Sequence, residues 1–311
     1  MTENQKEQIA KAMEQYIADK GITNVRLAEI AGISNAYITH IINRKWNEVP
    51  SGGKTARIGE STFQSIARAI GFNLQDTFWE HFDTLNYCEA IVAFEDARKL
   101  HIRKALDGPT GCGKTYSADK YCTDNPDRTY KVKCADDLTA KGFMQEMAEA
   151  VGVSSTGGRA AIRKAIVRKL AAEKNPLLMI DEAENLKDSS YGALKAICDD
   201  LEGKCGIVIL GANNYERKLS KKAMHETGCF PQIYRRFKNG FVQMYVLNQE
   251  EVIEYCQALG ITLKGSIKAI FDLCFNMGEL HHVIVQLKRV ATEQNKEITP
   301  EFIREIFHTR A

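Results

Sequence analysis

The sequence lacks a long apolar run, which argues against a membrane-spanning helix. No stretch of about 18 consecutive apolar residues occurs anywhere along the chain. The first residues, Met-Thr-Glu-Asn-Gln-Lys, also lack the apolar core of a signal peptide. We therefore expect a cytoplasmic protein with no membrane partner.

Paired-cysteine patterns are missing as well. The nine cysteines include no Cys-x-x-Cys pair and no histidine partner at zinc-ligand spacing. Their odd number and their scatter through predicted helices and strands are typical of a reducing compartment. We expect neither a disulfide framework nor a zinc site.

A strong excess of one charge is also absent, since the formal net charge is only +2. The charge is nevertheless unevenly placed. Residues 156–174 carry six Lys or Arg residues against one acidic residue, and residues 217–238 form a second basic stretch. Local fields of this kind can hold a phosphate backbone even when the whole chain is nearly neutral.

The chain of 311 residues divides into three compositional zones. Residues 1–80 are helical by pattern, with a polar loop at 46–60, and predict an all-α domain. Residues 81–247 alternate short apolar strands with amphipathic helices, which predicts an α/β core with a parallel sheet covered on both faces. Residues 248–311 show only helical periodicity. The predicted strands are 101–107, 129–134, 177–181, 206–211 and 241–247, and the main core helices are 140–151, 159–173 and 190–201.

A phosphate-binding loop is the most specific motif. Residues 108–115, Gly-Pro-Thr-Gly-Cys-Gly-Lys-Thr, fit G-x-x-x-x-G-K-[ST] at every fixed position, between a predicted strand and a predicted helix. A glycine-rich turn matching by chance is the alternative, which this context disfavours. Lys114 is expected to reach the β- and γ-phosphates of ATP, and the Thr115 hydroxyl to bind Mg²⁺. The predicted nucleotide-binding residues are Gly108, Pro109, Thr110, Gly111, Cys112, Gly113, Lys114, Thr115 and Tyr116.

The second motif is an acidic pair that ends an apolar strand. Residues 177–182 read Leu-Leu-Met-Ile-Asp-Glu, which predicts a buried strand with two carboxylates at its tip. Asp181 is expected to orient the Mg²⁺ shell, and Glu182 to activate the attacking water. Solvated acids at the start of a helix are the plainer interpretation. The position of the pair downstream of the phosphate loop favours the catalytic one.

These motifs resemble those of AAA+ ATPases, and the resemblance implies further site residues. The next strand ends at Asn213, where this class keeps a sensor beside the γ-phosphate; Asn214 is the alternative, and a simple turn is another. Arg235 or Arg236 stands where the class places an arginine that reaches a neighbouring subunit's nucleotide. The tail from residue 248 resembles the helical lid. His281 occupies the place of a lid arginine, so a sensing role there is open.

Residues 24–45 have the pattern of a helix-turn-helix. Ala28 lets two helices approach closely, Gly32 permits the turn, and Ser34 is placed to cap the second helix. A small helical interaction module is the alternative. We favour DNA binding, because the second helix presents polar residues suited to a major groove. The predicted contacts are Asn35, Tyr37, Thr39, His40 and Arg44.

The basic helix predicted at 159–173 offers a second surface for nucleic acid. Ile162, Ile166 and Leu170 form its apolar stripe, so its cations point away from the core. A solvated face is the ordinary interpretation. In a ring or filament of subunits, however, equivalent helices would line a channel around one duplex. The predicted DNA contacts on this helix are Arg159, Arg163 and Lys164.

The order of these features in one chain of about this length resembles the phage Mu B-type transposition proteins. The resemblance covers nearly the whole chain. It implies ATP-dependent, largely non-specific binding of double-stranded DNA by a homo-oligomer or helical filament. It also implies delivery of that target DNA to a DDE transposase and stimulation of DNA transposition, by a phage or mobile-element protein in a bacterial cell.

Two other functions stay open at this point. A helicase loader of the IstB or DnaC kind is also a short AAA+ chain. It predicts an N-terminus that binds a helicase and little preference for duplex DNA, so the helix-turn-helix counts against it. A transcriptional regulator whose ATPase gates its reader would bind one discrete site. The few Arg residues directed towards bases in the N-terminal zone make the regulator less attractive.

Overall fold

The computed structural model describes residues 1, 3–47, 49–51, 54–72, 81–212 and 214–308. The chain forms two compact units. One consists of Met1–His81 together with His281–Ala311, and the other is Phe82–Leu280. The predicted functional boundaries after residues 80 and 247 stay predictions.

The N-terminal part of the first unit is built mainly from four helices. They pack around a buried core that includes Met13, Leu27, Ile38 and Phe63. This part also contains two short antiparallel strands, β1 (Val49–Ser51) and β2 (Lys54–Ala56), which pair with each other. The expectation of an all-α domain with a polar loop at 46–60 missed this pair, because strands of three residues carry no detectable period. The helices are α1 (Glu3–Lys20), α2 (Asn24–Ala31), α3 (Asn35–Ile42) and α4 (Glu60–Ala69).

Helices α2 and α3 are joined by a tight turn whose residues explain it. The Thr23 side chain accepts a hydrogen bond from the Arg26 N–H at 3.2 Å and caps the start of α2. Gly32 ends α2 at φ 66°, a left-handed conformation that glycine adopts without strain. The Ser34 hydroxyl then accepts the Ala36 N–H at 3.3 Å and starts α3.

The first unit also contains the C-terminal residues. Helix α14 (Met277–Gln294) has its first four residues in the second unit and the rest in the first. Helix α15 (Pro300–Phe307) is capped by Thr299, which accepts the Phe302 N–H at 3.2 Å. Among the described residues, no helix is both long and apolar enough to cross a bilayer.

The second unit is a five-stranded parallel sheet with the order β4-β5-β6-β3-β7. All five predicted strands are present. The first begins two residues late because His101 has φ 52° and ends the preceding helix. The last is short because its pairing with β3 stops at Gln243, opposite Asp107, where β3 turns into the phosphate loop. The strands are β3 (Arg103–Gly108), β4 (Thr129–Lys133), β5 (Leu177–Asp181), β6 (Gly206–Ala212) and β7 (Phe241–Gln243).

Helices cover both faces of this sheet, as the apolar strands predict. Alternate residues of β6 point to opposite sides: Val208 and Leu210 pack with α5 and α6, and Ile207 and Ile209 with the other layer. One layer is α5 (Leu85–Leu100) and α6 (Lys114–Asp124). The other is α7 (Ala140–Val151), α8 (Arg159–Ala171), α9 (Asp188–Asp200), α10 (Tyr215–Met224) and α11 (Phe230–Phe237). Helices α12 (Gln249–Ala258) and α13 (Lys264–Asp272) complete the unit.

Candidate nucleotide-binding site

The carboxyl ends of the parallel strands bring the predicted motifs to one edge of the sheet. The phosphate loop follows β3 and the acidic pair ends β5, with β6 paired between these strands. In an open parallel sheet this edge is where ligands bind. The two sequence motifs therefore lie on one surface, although about 65 residues separate them along the chain.

The glycines of the phosphate loop are required by its backbone. Gly111 and Gly113 have φ angles of 80° and 97°, which side chains rarely tolerate. A Cβ atom on Gly108 would lie 2.7 Å from the Met244 Cβ, and one on Gly111 would lie 2.5 Å from the Asn276 side chain. The loop is thus tightly enclosed on two sides.

Lys114 is held inside this loop. Its side chain is buried, and its Nζ donates to the backbone oxygens of Gly108 at 2.8 Å and Pro109 at 2.9 Å. The Cys112 Sγ is 3.5 Å from the same Nζ. The ammonium group is therefore held by two carbonyl oxygens of the loop, and a cation within such a loop suits phosphate oxygens.

Thr115 and Asp181 meet at the position expected for a magnesium ion. The Thr115 hydroxyl donates to Asp181 Oδ1 at 3.3 Å, and the Glu182 N–H donates to the same oxygen at 2.9 Å. Asp181 is 1% exposed, yet its Oδ2 has no hydrogen-bond partner among the described residues. A buried carboxylate oxygen without a donor is unfavourable unless a cation is near it; the Lys131 Nζ lies 3.5 Å from Oδ2, as an ion pair without a hydrogen bond.

The donor set fits Mg²⁺ bound mainly through nucleotide phosphates and water. A hydroxyl and one carboxylate are hard oxygen ligands, and Mg²⁺ sites in nucleotide enzymes use one or two such protein groups. Within the described part of the chain, no group of three or more His, Cys, Asp or Glu side chains is arranged to hold a metal. Thr115 and Asp181 are accordingly the residues that would hold the ion.

Glu182 is held by a lysine from the neighbouring strand. Lys133 Nζ lies 3.0 Å from Glu182 Oε1, and Asn185 Nδ2 donates to Oε2 at 3.4 Å. The hydrogen bond to Glu182 raises the pKa of Lys133. Glu182 itself has φ 55°, which turns its side chain out of the strand direction.

Asp107 is a site residue that the sequence analysis missed. It is 3% exposed, and its two carboxylate oxygens accept the N–H groups of Tyr215 and Glu216, each at 3.0 Å. These bonds tie the last residues of β3 to the start of α10. The signal in the sequence is an aspartate inside an apolar strand, since a buried carboxylate needs donors.

Asn86 is a second missed residue. Its Nδ2 donates to the Cys112 oxygen at 3.2 Å and to the Tyr245 oxygen at 2.8 Å, and its Oδ1 accepts the Tyr245 N–H at 2.9 Å. One buried amide thus connects α5, the phosphate loop and the segment after β7. No local pattern could have indicated it, because its partners are 26 and 159 residues away.

The remaining predicted nucleotide-site residues differ in how far the structure describes them. Tyr116 follows the loop and is half exposed, with its ring centre 6.5 Å from that of Tyr87. Asn213 lies outside the described residues, and its alternative Asn214 is exposed at φ 61°, at the start of α10. His281 belongs to the first unit, where its ring contacts that of His282 edge-on.

The two candidate arginine fingers have different surroundings. Arg236 pairs with Asp199 within its own subunit and donates to the Gln232 oxygen at 2.7 Å. Arg235 is exposed and has no acidic partner among the described residues. Both precede the amino end of β7, so they lie away from the carboxyl edge that carries their own subunit's phosphate loop. A role at a nucleotide would therefore have to be played in a neighbouring subunit.

The predicted DNA contacts in the N-terminal helices are only partly accessible. Asn35, Tyr37 and Thr39 are exposed on α3, and His40 is half-buried. Arg44 instead donates to the carboxylates of Glu7 and Glu14, and these hydrogen bonds raise its pKa. Its charge is neutralised within the unit.

The predicted DNA contacts on α8 also differ in whether their charge is paired. Arg163 lies 3.3 Å from the Asp200 carboxylate, so its charge is paired. Arg159 and Lys164 are exposed, and neither has an acidic partner in the described part of the chain. Arg168 shares this exposure and was not selected from the sequence as a contact.

Comparisons with known proteins found one family model and several solved structures similar to this chain. Residues 105–219 match the family model described as an AAA domain. No curated protein sequence matches the chain significantly. Similar solved structures include the RuvB Holliday junction branch migration motor of Thermotoga maritima, at 16% identity and TM-score 0.47, covering 72% of this chain and 67% of that one. A DNA replication initiation factor has 17% identity and TM-score 0.46, covering 71% and 66%.

The family match spans β3 to α10 and thus contains the phosphate loop, the acidic pair and the four strands β3 to β6. The parallel sheet continues beyond it through β7, and helices cover both of its faces. From these observations together, the chain has the AAA+ P-loop fold.

Proposed function

We propose that the protein is an Mg²⁺-dependent ATPase, in which Lys114, Thr115, Asp181 and Glu182 act together. The observation that carries this proposal is the buried Asp181, whose Oδ1 accepts from the Thr115 hydroxyl and whose Oδ2 has no hydrogen-bond donor among the described residues. Bound Mg²⁺ would supply charge neutralisation of the phosphates. Lys114 and the amides of the loop would bind the β- and γ-phosphates and stabilise the charge that develops during transfer.

Glu182 is placed to orient and deprotonate the attacking water. It directly follows Asp181 and has a left-handed backbone conformation immediately after β5. Its carboxylate is paired with Lys133. Release from that partner would leave its carboxylate available as a general base.

We further propose that the ATPase works as an oligomer, with Arg235 reaching the nucleotide of a neighbouring subunit. Arg235 is exposed and lacks an acidic partner among the described residues, whereas Arg236 is committed to Asp199. ATP bound between two subunits would link nucleotide state to assembly. Assembly would in turn multiply weak contacts with DNA into strong binding.

The proposed role of this assembly is ATP-dependent binding of double-stranded DNA as the target for a DDE transposase. Its support is the motif order that resembles Mu B-type proteins, together with Arg159 and Lys164 of α8, which are exposed and have no acidic partner among the described residues. Arg44, bound to Glu7 and Glu14, gives little support to a sequence-specific regulator that reads bases through this arginine.

Binding to random duplex DNA tests this role, measured by fluorescence anisotropy and electron microscopy with ATP, with ADP and without nucleotide. We expect continuous filaments on any duplex with ATP, and dissociation with ADP. Glu182→Gln should keep ATP and DNA binding but lose about 10²–10⁴-fold in turnover, since it retains shape and lacks the base.

Other outcomes favour other functions. Binding confined to one sequence, or unaffected by nucleotide, would contradict the transposition role and favour the regulator. Preference for single strands with binding to a replicative helicase would favour the helicase loader. A wild-type protein that neither binds nor hydrolyses ATP would contradict the ATPase proposal itself.

A further inference from the structure

Four side chains from three elements form a connected group beside the phosphate loop. Thr115 and Asp119 are four residues apart on α6 and therefore share a face of that helix. Lys131 extends from β4, and Asp181 ends β5. The Lys131 Nζ lies 3.5 Å from Asp181 Oδ2 and forms a short ion pair with Asp119. The Thr115 hydroxyl bonds the other oxygen of Asp181.

The two carboxylates that Lys131 contacts have different surroundings. The side chain of Asp181 is 2% exposed and that of Asp119 is 58% exposed, with Lys131 between them at 20%. A buried carboxylate is unstable without a compensating charge. Lys131 supplies that charge as an ion pair, but Oδ2 accepts no hydrogen bond from it or from any other described residue.

We infer that Lys131 is a counter-cation that competes with Mg²⁺ for Asp181, and that Asp119 draws it away from the metal site. The inference rests on the proposed binding of Mg-ATP. A divalent ion at Thr115 and Asp181 would lie close to the ammonium group, and like charges at such distances repel strongly. Asp119 gives Lys131 a second partner within reach, so the lysine can yield Asp181 without losing every ion pair.

Lys131 is thus a positioning residue that sets how much Mg²⁺ the site requires. Without the metal, Lys131 stabilises the buried carboxylate of Asp181. With the metal, its positive charge opposes metal binding. A merely structural lysine would act differently. Its removal would misplace Asp181 and weaken the metal site, whereas removal of a competitor strengthens it.

The test is a Mg²⁺ titration of the full chain binding a fluorescent ATP analogue, followed by anisotropy at constant ionic strength. We expect Lys131→Met to lower the half-saturating Mg²⁺ concentration by about tenfold, because one repelling charge is removed. Asp119→Asn should raise it several-fold, because Lys131 then has Asp181 as its remaining partner. The double variant should behave like Lys131→Met.

A matched control removes a different cation, from α6, the helix that carries Thr115 and Asp119. The Lys120 ammonium pairs with Asp124, four residues away, and among the described residues it forms no ion pair with Asp119 or Asp181. Lys120→Met should leave the Mg²⁺ requirement unchanged, which separates competition at the site from a general loss of positive charge. Asp119→Asn keeps both Lys131 and Asp181, so it provides a test even if the methionine variant fails to fold.

The outcomes distinguish this inference from the proposed function. A wild-type protein that needs Mg²⁺, with an unchanged or higher requirement in Lys131→Met or a lower one in Asp119→Asn, overturns the inference alone. Analogue binding that does not depend on Mg²⁺ in the wild type overturns the magnesium site and this inference with it. Opposite shifts in the two single variants support the competition.

Discussion

The individual carboxylates at the carboxyl edge of the sheet have different binding partners. Asp181 contacts the Thr115 hydroxyl, Glu182 pairs with Lys133, and Asp107 binds the backbone of α10. Asp107 accepts two N–H groups at a helix start, which is a charge-assisted arrangement. It holds α10 directly after the segment that contains the proposed sensor.

This arrangement affects the pKa of Glu216. Burial raises its pKa from the ordinary value of 4.5, and the neighbouring Asp107 carboxylate raises it further. The folded protein therefore binds this proton more tightly than the unfolded chain does. The resulting stability is present below pH 4.5 and is lost as the pH rises through the raised pKa of the folded state.

Replacing Glu216 by Gln should remove this dependence on pH. We expect Glu216→Gln to be more stable than the wild type near neutral pH and no more stable than it near pH 4, because only the ionised glutamate is unfavourable. Urea unfolding between these values measures the difference. Glu202→Gln, at an exposed carboxylate, is the control, and an equal gain at both pH values would contradict the explanation.

At the scale of elements, α8 combines a buried stripe with an outward basic face. Ile162, Ile166 and Leu170 are fully buried, so the helix has one orientation on α7 and α9. That orientation leaves Arg159 and Lys164 exposed and brings Arg163 to Asp200. The packing therefore decides which cations are exposed for the proposed contact with DNA.

Arg159 and Lys164, which are exposed, should contribute to DNA affinity. Arg163, which is paired with Asp200, should not. For the double variant Arg159→Ala, Lys164→Ala, we expect a less steep slope of log affinity against log salt concentration. The decrease should correspond to the loss of about two phosphate contacts. Arg163→Ala should change that slope little. Anisotropy on random duplex DNA at several salt concentrations measures it, with Lys268→Ala as an exposed control. Equal slopes for wild type and double variant would exclude α8 from the DNA surface.

The proposed assembly of several subunits makes a prediction for the whole molecule. Arg235→Ala should lower ATP turnover by about 10³-fold or more while leaving the fold intact, because a finger acts only in the transition state. Mixing this variant with Glu182→Gln should restore part of the activity. In the mixture, an intact acidic pair meets an intact Arg235 from its neighbour.

The mixed sample is the decisive measurement, with the steady-state rate compared at equal total protein. Arg236→Ala is the matched control on the same helix. It removes the ion pair with Asp199, so we expect lower stability and no complementation by Glu182→Gln. Full activity of Arg235→Ala alone would contradict the role in trans.

The sequence by itself determined the motifs and most elements, because their signals are local. The spacing within residues 108–115 needs no distant partner, and the apolar run at 177–180 predicts its strand to the residue. Helix α7 has its predicted bounds for the same reason, since Thr139 and Gly152 mark its ends. The DNA-binding and sensor roles stay predictions.

Only the tertiary structure decided which side chains are free and which are occupied. Arg44, Arg163 and Arg236 look equivalent to their neighbours in the sequence, and each finds a carboxylate from another helix. Asn86 and Lys131 carry no motif, yet folding places them against the phosphate loop and the acidic pair. These contacts join residues far apart along the chain, so their energy depends on packing that no local pattern contains.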